Sequence, residues 1–175
     1  MRSFLDWAKS ECVPIETEYV STREAPYGYL VGLKRAIGHN VLVPGHYEAP
    51  TGGCDTIHDI AMLYKFIENT VRQGCHVVYE GLFVMNMTRG PALLEELGVP
   101  FYVLQLTTPL SVCLESVNKR RAEKGKGELE TTKNTEDNYR RALKYCSVMR
   151  DAGAKVIKIE REQGLPKLLE LLGVE

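Results

Sequence analysis

Two carboxylates, one glycine pair and one run of arginines are the side chains of this sequence best suited to chemistry. Glu80 ends an apolar run, Val77-Val78-Tyr79, and Gly81 follows it. A carboxylate at the end of a buried strand holds a divalent cation through water or acts as a base, and glycine lets the chain turn there without a Cβ clash. Capping of backbone N–H groups is the plainer role open to Glu80. Asp55 stands near the end of a loop rich in proline and glycine, Pro44-Gly45-His46-Tyr47-Glu48-Ala49-Pro50-Thr51-Gly52-Gly53-Cys54-Asp55-Thr56. Gly52 and Gly53 permit close approach of backbone to a ligand, and the helix start that follows favours anions. Asp55 is a candidate general base, a substrate clamp or the N-cap of that helix. Tyr47 and Glu48 are candidates for substrate contact, and His46 reads as structural.

The third feature is cationic. Lys119, Arg120 and Arg121 end one helical stretch, and Lys124, Lys126, Lys133, Arg140, Arg141 and Lys144 follow. A solvated helix face explains most runs of charge. A phosphate clamp is the other reading, because guanidinium forks match phosphate oxygens. Cys54 with His58, and Cys75 with His76, lack the spacing of a zinc motif. A thiol nucleophile at Cys54 is a further arrangement to test. The sequence contains no GxSxG, no GxGxxG and no Gly-Lys-Ser/Thr.

Elements that must position these groups follow from periodicity. A helix is expected over Met1 to Cys12, with Phe4, Leu5, Ala8 and Cys12 on one face and Pro14 as its stop. Ile15 to Val20 alternates as a strand does, a polar turn spans Ser21 to Pro26, and Tyr27–Leu33 with Asn40–Val43 reads as a hairpin across Gly38-His39-Asn40. A helix capped by Asp55 or Thr56 runs to about Gln73, with Gly74 ending it. Cys75–Glu80, Phe101–Leu106 and Ala154–Ile159 read as buried strands. Helices at 91–97, 109–122, 135–151 and 165–172 separate or follow them. Buried strands alternating with helices point to a parallel sheet covered on both faces, a three-layer α/β domain.

The chain has 175 residues, the size of one domain, and 44% of them are hydrophobic, enough for a core without staples. Its 22 Lys+Arg and 23 Asp+Glu leave a net charge of −1, which argues against a general polyanion binder but not against a local basic site. Five scattered cysteines without CxxC spacing, no secretory signal and no apolar stretch of membrane-spanning length fit a reduced cytoplasm.

Strand with terminal acid (Val77-Val78-Tyr79-Glu80-Gly81), strand-Thr-Pro-helix-Arg-Arg (Tyr102 to Arg121), a basic segment (Ala122 to Arg141) and a final strand (Lys155 to Ile159) together resemble a P-loop nucleoside/nucleotide kinase. The loop from Gly45 to Ile57, with Tyr79-Glu80-Gly81-Leu82, is similar to small phage-type P-loop kinases of DNA base hypermodification, which phosphorylate hydroxymethyl-pyrimidine. The resemblance implies a single kinase domain over residues 1–175, with a substrate loop near 44–56 and a lid near 122–141. It implies ATP and Mg²⁺ as cofactors, and a nucleoside, a nucleotide or a modified base in DNA as acceptor. Under it, Asp55 orients or deprotonates the acceptor hydroxyl and Glu80 organises Mg²⁺ or substrate. Tyr47, Glu48, Gly52 and Gly53 shape the acceptor site. Lys119, Arg120, Arg121, Arg140 and Arg141 neutralise the transferred phosphoryl group. Such a kinase begins with a buried strand and GxxxxGK[ST], whereas this sequence starts within the helix that normally follows them. An in-frame segment upstream of Met1 carrying both is therefore expected. The alternative is a degenerate kinase fold that binds a nucleotide or a partner without catalysis.

Overall fold

The structure is a computed structural model that describes residues 1–11, 14–16, 28–32, 40–47, 53–57, 59–82 and 84–174. The described residues form a mixed α/β chain with six α-helices and six strands. Two compact units divide it: Met1–Val99 with Leu165–Glu175, and Pro100–Gly164.

In the first unit, helix α1 (Arg2–Glu11) precedes strands β1 (Pro14–Glu16), β2 (Gly28–Gly32) and β3 (Asn40–Pro44). The expected hairpin is present: β2 pairs antiparallel with β3, Leu30 opposite Leu42, and β1 adds antiparallel to β2. The expected turns at 21–26 and 38–39 lie outside the described residues. β4 (His76–Val77) pairs parallel to β3, and the Val78 amide continues the ladder to the Leu42 carbonyl at 2.9 Å. The sheet order is β1-β2-β3-β4. This sheet is therefore mixed, and residues 76–79 are half-buried rather than fully buried as the apolar run leads one to expect. Among the described strands β4 has a partner on its β3 side alone.

β3 is buried throughout its apolar stretch. Val41 and Val43 point to a cluster with Phe4, Leu5 and Ala8 of α1 and Leu172 and Val174 near the C-terminus. Leu42, one residue out of phase, faces the opposite side of the sheet and is equally buried. Phe4, Leu5 and Ala8 of the expected α1 stripe pack as an amphipathic helix should, and Cys12 lies outside the described residues. Helix α2 (Ile60–Arg72) buries Leu63, Tyr64, Phe66 and Ile67. Tyr64 donates its hydroxyl to the Val84 carbonyl at 2.7 Å, satisfying a polar atom that would otherwise be stranded in the core. Helix α3 (Arg89–Leu97) follows, ended by Gly98.

The second unit contains β5 (Tyr102–Leu106), α4 (Leu110–Glu123), α5 (Lys133–Asp151) and β6 (Lys155–Ile159). β5 and β6 pair in parallel, Val103 opposite Val156, but neither is the buried strand expected: Tyr102 and Leu106 are exposed, and Ile159 alone of the ten residues is buried. Helix α5 supplies Tyr145, Cys146 and Met149 to the interior, while α4 buries no residue. The final helix, α6 (Gly164–Leu171), turns Leu165, Leu168 and Leu169 toward the α1 cluster of the first unit. No helix among the described residues is long and apolar enough to cross a membrane.

Candidate functional site

The loop after β3 and the loop after β4 meet. A short 3₁₀ turn, Cys54–Thr56, sits against the end of β4, and the Cys54 amide donates to the Glu80 carbonyl at 3.1 Å. Gly53 closes the loop onto itself, donating to the His46 carbonyl at 2.7 Å. Thr56 locks the turn: its hydroxyl donates to the Gly53 carbonyl at 2.7 Å and accepts from the His46 amide at 3.3 Å. These bonds seat Asp55 beside Glu80 although 25 residues separate them in sequence.

Two glycines make this approach possible. Gly45 has φ of +103°, and a Cβ there would overlap the Gly53 carbonyl and lie 2.7 Å from the Cys54 nitrogen. Gly81 has φ of +155°, and a Cβ there would lie 2.5 Å from Asp55 Oδ1 and 3.2 Å from its carboxyl carbon. Thus the residue after Glu80 is glycine because the Asp55 carboxylate rests on it.

Asp55 does not cap the next helix. That role belongs to Asp59, whose carboxylate accepts from the Met62 amide at 2.9 Å. The expected cap, Asp55 or Thr56, lies too early because the helix begins at Ile60, three residues after the apolar Ile57. Thr56 is committed to the loop, and Asp55 faces Gly81.

Tyr47 is almost fully buried, 7% exposed, against the α1 cluster. Its amide donates to the Tyr29 hydroxyl at 3.3 Å, and the two rings are tilted at 6.2 Å. Its own hydroxyl is buried without a hydrogen-bond partner among the described residues. That hydroxyl and Cγ of Glu80 flank Gly53, at 3.6 and 3.8 Å from where a Cβ would stand. Burial foremost, then the negative charge of Cys54, Glu80, Tyr29 and Asp55, pushes the phenol far above its ordinary range, so it is a neutral O–H.

Cys54 is fully buried and donates its thiol to the Pro44 carbonyl at 3.2 Å. Burial, outweighing the hydrogen bond from backbone that favours the thiolate, pushes its pKa up to about 12. A thiol so held is no nucleophile at neutral pH, which removes the thiol-enzyme reading. His58, its suggested partner, lies outside the described residues, as do Glu48 and Gly52.

Glu80 itself is exposed, and its Oε2 lies 3.6 Å from the Met1 ammonium at the head of α1. No group of three or more metal-ligating side chains occurs among the described residues. Mg²⁺, however, needs only one or two carboxylates when phosphates and water complete its shell. Glu80, with Asp55 beside it, fits that mode.

The cationic candidates belong to the second unit. Lys119 and Arg120 are exposed on the last turns of α4, where Arg120 Nε donates to the Ser116 carbonyl at 3.2 Å. Arg121 folds onto the following turn, donating to the carbonyls of Gly127 at 2.7 Å and Glu128 at 3.3 Å. Arg140 pairs with Glu136 at 3.1 Å and Asp137 at 3.2 Å, and Arg141 is exposed. The segment 122–141 therefore comprises the end of α4, a turn held by Arg121 and the first half of α5.

Among curated proteins, the 5-hmdU DNA kinase of Pseudomonas phage PaMx11 is 33% identical over 129 residues, covering 73% of this chain and 68% of that kinase. No family model matches the chain, and no solved structure matches it significantly. Identity at that level over 73% of this chain and 68% of that kinase places the chain in the family of the phage 5-hmdU DNA kinase.

Proposed function

We propose that this protein transfers a phosphoryl group from ATP to the hydroxymethyl group of a modified pyrimidine base in DNA. The observation that carries the reading is the meeting of Asp55 and Glu80 at one loop junction, beside the N-terminus of α1. The relative's activity on DNA carrying 5-hmdU supplies the acceptor class.

In this mechanism Asp55, half-buried against Gly81, accepts the proton of the acceptor hydroxyl as its oxygen bonds to the γ-phosphorus. The bond to the leaving diphosphate breaks in the same displacement, and positioning with electrostatics supplies most of the acceleration. Glu80 would hold Mg²⁺, directly or through water. Once bound, the ion neutralises phosphate charge that two carboxylates would otherwise repel. Tyr47, a neutral donor beside Gly53, offers its O–H to a polar group of the acceptor. Gly53 leaves room for that approach, and Glu48 and Gly52 complete the acceptor loop. Arg121 and Arg141 serve as the clamp on the transferred phosphoryl group, and Lys119, Arg120 and Arg140 meet other phosphates of the substrate. For Arg121 this means exchanging the carbonyls of Gly127 and Glu128 for phosphate oxygens, which offer stronger charge-assisted bonds. The parallel pairs β3–β4 and β5–β6 are the part of the architecture consistent with a P-loop kinase sheet.

The lack of a Gly-Lys-Ser/Thr in these 175 residues favours a second reading, nucleotide binding without transfer. One experiment separates the two. The protein is incubated with γ-labelled ATP, Mg²⁺ and duplex DNA containing 5-hydroxymethyl-uracil, with unmodified DNA as control. Label in the modified DNA alone, reduced at least about 100-fold by Asp55→Asn, is the expected result for a lost general base. Calorimetric binding of ATP without label transfer favours the second reading. Neither binding nor transfer would overturn both.

A further inference from the structure

We propose that the exposed cationic surface made by the end of α4, the turn after it and the first face of α5 holds the phosphate backbone of the DNA. The inference rests on DNA being the acceptor, but its evidence is separate from the carboxylate junction. Charge is divided unevenly between the two compact units. Residues 100–164 carry 13 Lys/Arg against 9 Asp/Glu, a net +4, whereas the remaining residues carry 9 against 14, a net −5. The overall −1 conceals a basic unit.

Within that unit the cations are concentrated and outward. Residues 119–126 hold five of them, Lys119, Arg120, Arg121, Lys124 and Lys126, against one carboxylate, Glu123. Lys119, Arg120, Lys124 and Lys126 are exposed. Across the turn, Lys133, Arg140 and Lys144 follow at i, i+7 and i+11, which places them on one exposed face of α5. Glu136 and Asp137 both pair with Arg140 there, and surface contacts of this kind are worth about 1 kcal/mol or less each, so that a phosphate can replace them.

Their spread argues for a polymer. Lys133 and Lys144 are separated by about 16 Å along the helix at ~1.5 Å per residue. A single triphosphate concentrates its charge; a duplex repeats its charge, about one per 1.7 Å of axis, and rewards cations spaced along a surface. Helix α4 buries no residue, so its side chains are available for such a role.

The test is fluorescence anisotropy with a labelled 20-base-pair duplex, titrated from 50 to 300 mM salt, using the full chain. Lys124→Glu/Lys126→Glu is compared with Lys65→Glu/Lys167→Glu, which changes net charge equally on the other unit. Lys124→Gln/Lys126→Gln serves as a gentler pair, and circular dichroism checks folding of all three. We expect the Lys124/Lys126 pairs to weaken binding at least tenfold at 50 mM salt. They should also lower the salt slope by about 2, because each phosphate no longer neutralised keeps its counterion. The Lys65/Lys167 pair should leave the slope unchanged. Equal loss in both charge-reversed pairs, or no DNA binding by the wild type, overturns the proposal. Label transfer into DNA separates it from the reading above. Undiminished transfer by the Lys124/Lys126 pairs at limiting DNA overturns the surface and leaves the kinase. Patch-dependent binding without transfer overturns the kinase and leaves the surface.

Discussion

The carboxylate of Asp55 lies where a methyl group on residue 81 would have to stand, and this contact gives the candidate site its sharpest test. Gly81→Ala forces a Cβ to 2.5 Å from Asp55 Oδ1 and imposes φ of +155° on an L residue. Strain of this type costs about 1–3 kcal/mol, so urea unfolding should show a loss of that order. Phosphoryl transfer should fall further than stability explains, because Asp55 is displaced. Retained activity at wild-type level would show that Asp55 is not a working group. Cys54 provides a second test. Its pKa is raised by burial from 9 to about 12, so the folded state keeps a proton that the unfolded chain gives up. The stabilisation is complete below pH 9 and is lost as pH rises toward 12, to a total on the order of 4 kcal/mol. Cys54→Ser retains a donor for the Pro44 carbonyl and has no group titrating in that window. Its unfolding free energy should therefore decline less between pH 9 and 12 than that of the wild type, and parallel curves would refute the buried-thiol account. Asp55, Glu80 and Tyr47 were all visible in the sequence as polar side chains in or beside glycine-rich loops. Their convergence was not, because it depends on a backbone hydrogen bond from Cys54 to Glu80 and on glycine positions whose partners are remote in sequence.

Elements were legible where a single periodic stripe met a single core. The face of α1 and the antiparallel pairing of 28–32 with 40–44 follow from apolar spacing, whereas on 60–72 the buried face is Leu63, Tyr64, Phe66, Ile67 and Thr70, and spacing alone does not say that 102–106 pairs with 155–159. The run at 75–80 was less informative. Its apolar side chains suit a strand, but ladder pairing depends on neighbours, and among the described residues β4 pairs with β3 alone over His76–Val77. Helix boundaries depended on capping. Asp55, Thr56 and Asp59 are chemically similar caps, and geometry chose the one immediately before Ile60. Asp59→Ala should therefore cost about 1 kcal/mol in urea or thermal unfolding, the usual effect of removing an N-cap. The same change at the cap should leave phosphoryl transfer per folded molecule intact, since Asp59 is exposed and its bond serves α2. A larger loss of activity than of folded protein would mean that α2 itself positions the acceptor loop.

At the scale of the whole molecule, net charge misled where charge distribution informs. A value of −1 gives no reason to expect attraction to DNA, yet it is the sum of a +4 unit and a −5 unit. Composition cannot reveal this, because the division requires knowing which residues fold together: 165–175 join the first 99 residues, not the segment that precedes them. The division has a consequence independent of any substrate. A chain with pI near 6.4 and two oppositely charged units attracts its own copies when screening is weak. The Debye length is about 30 Å at 0.01 M salt and about 8 Å at 0.15 M, so attraction between unlike surfaces extends across a small protein in the first case and is confined to contact in the second. Static light scattering at pH 6.5 should accordingly give a negative second virial coefficient at 0.01 M salt that rises toward positive values by 0.15 M. A chain of the same net charge with its cations and anions evenly interspersed would show little response. Reversing Lys124 and Lys126 to Glu reduces the cationic surface while moving the net charge further from zero, and both effects weaken the attraction. The low-salt coefficient of that variant should be less negative than that of the wild type. A more negative value would show that self-attraction comes from apolar contact rather than from the division of charge.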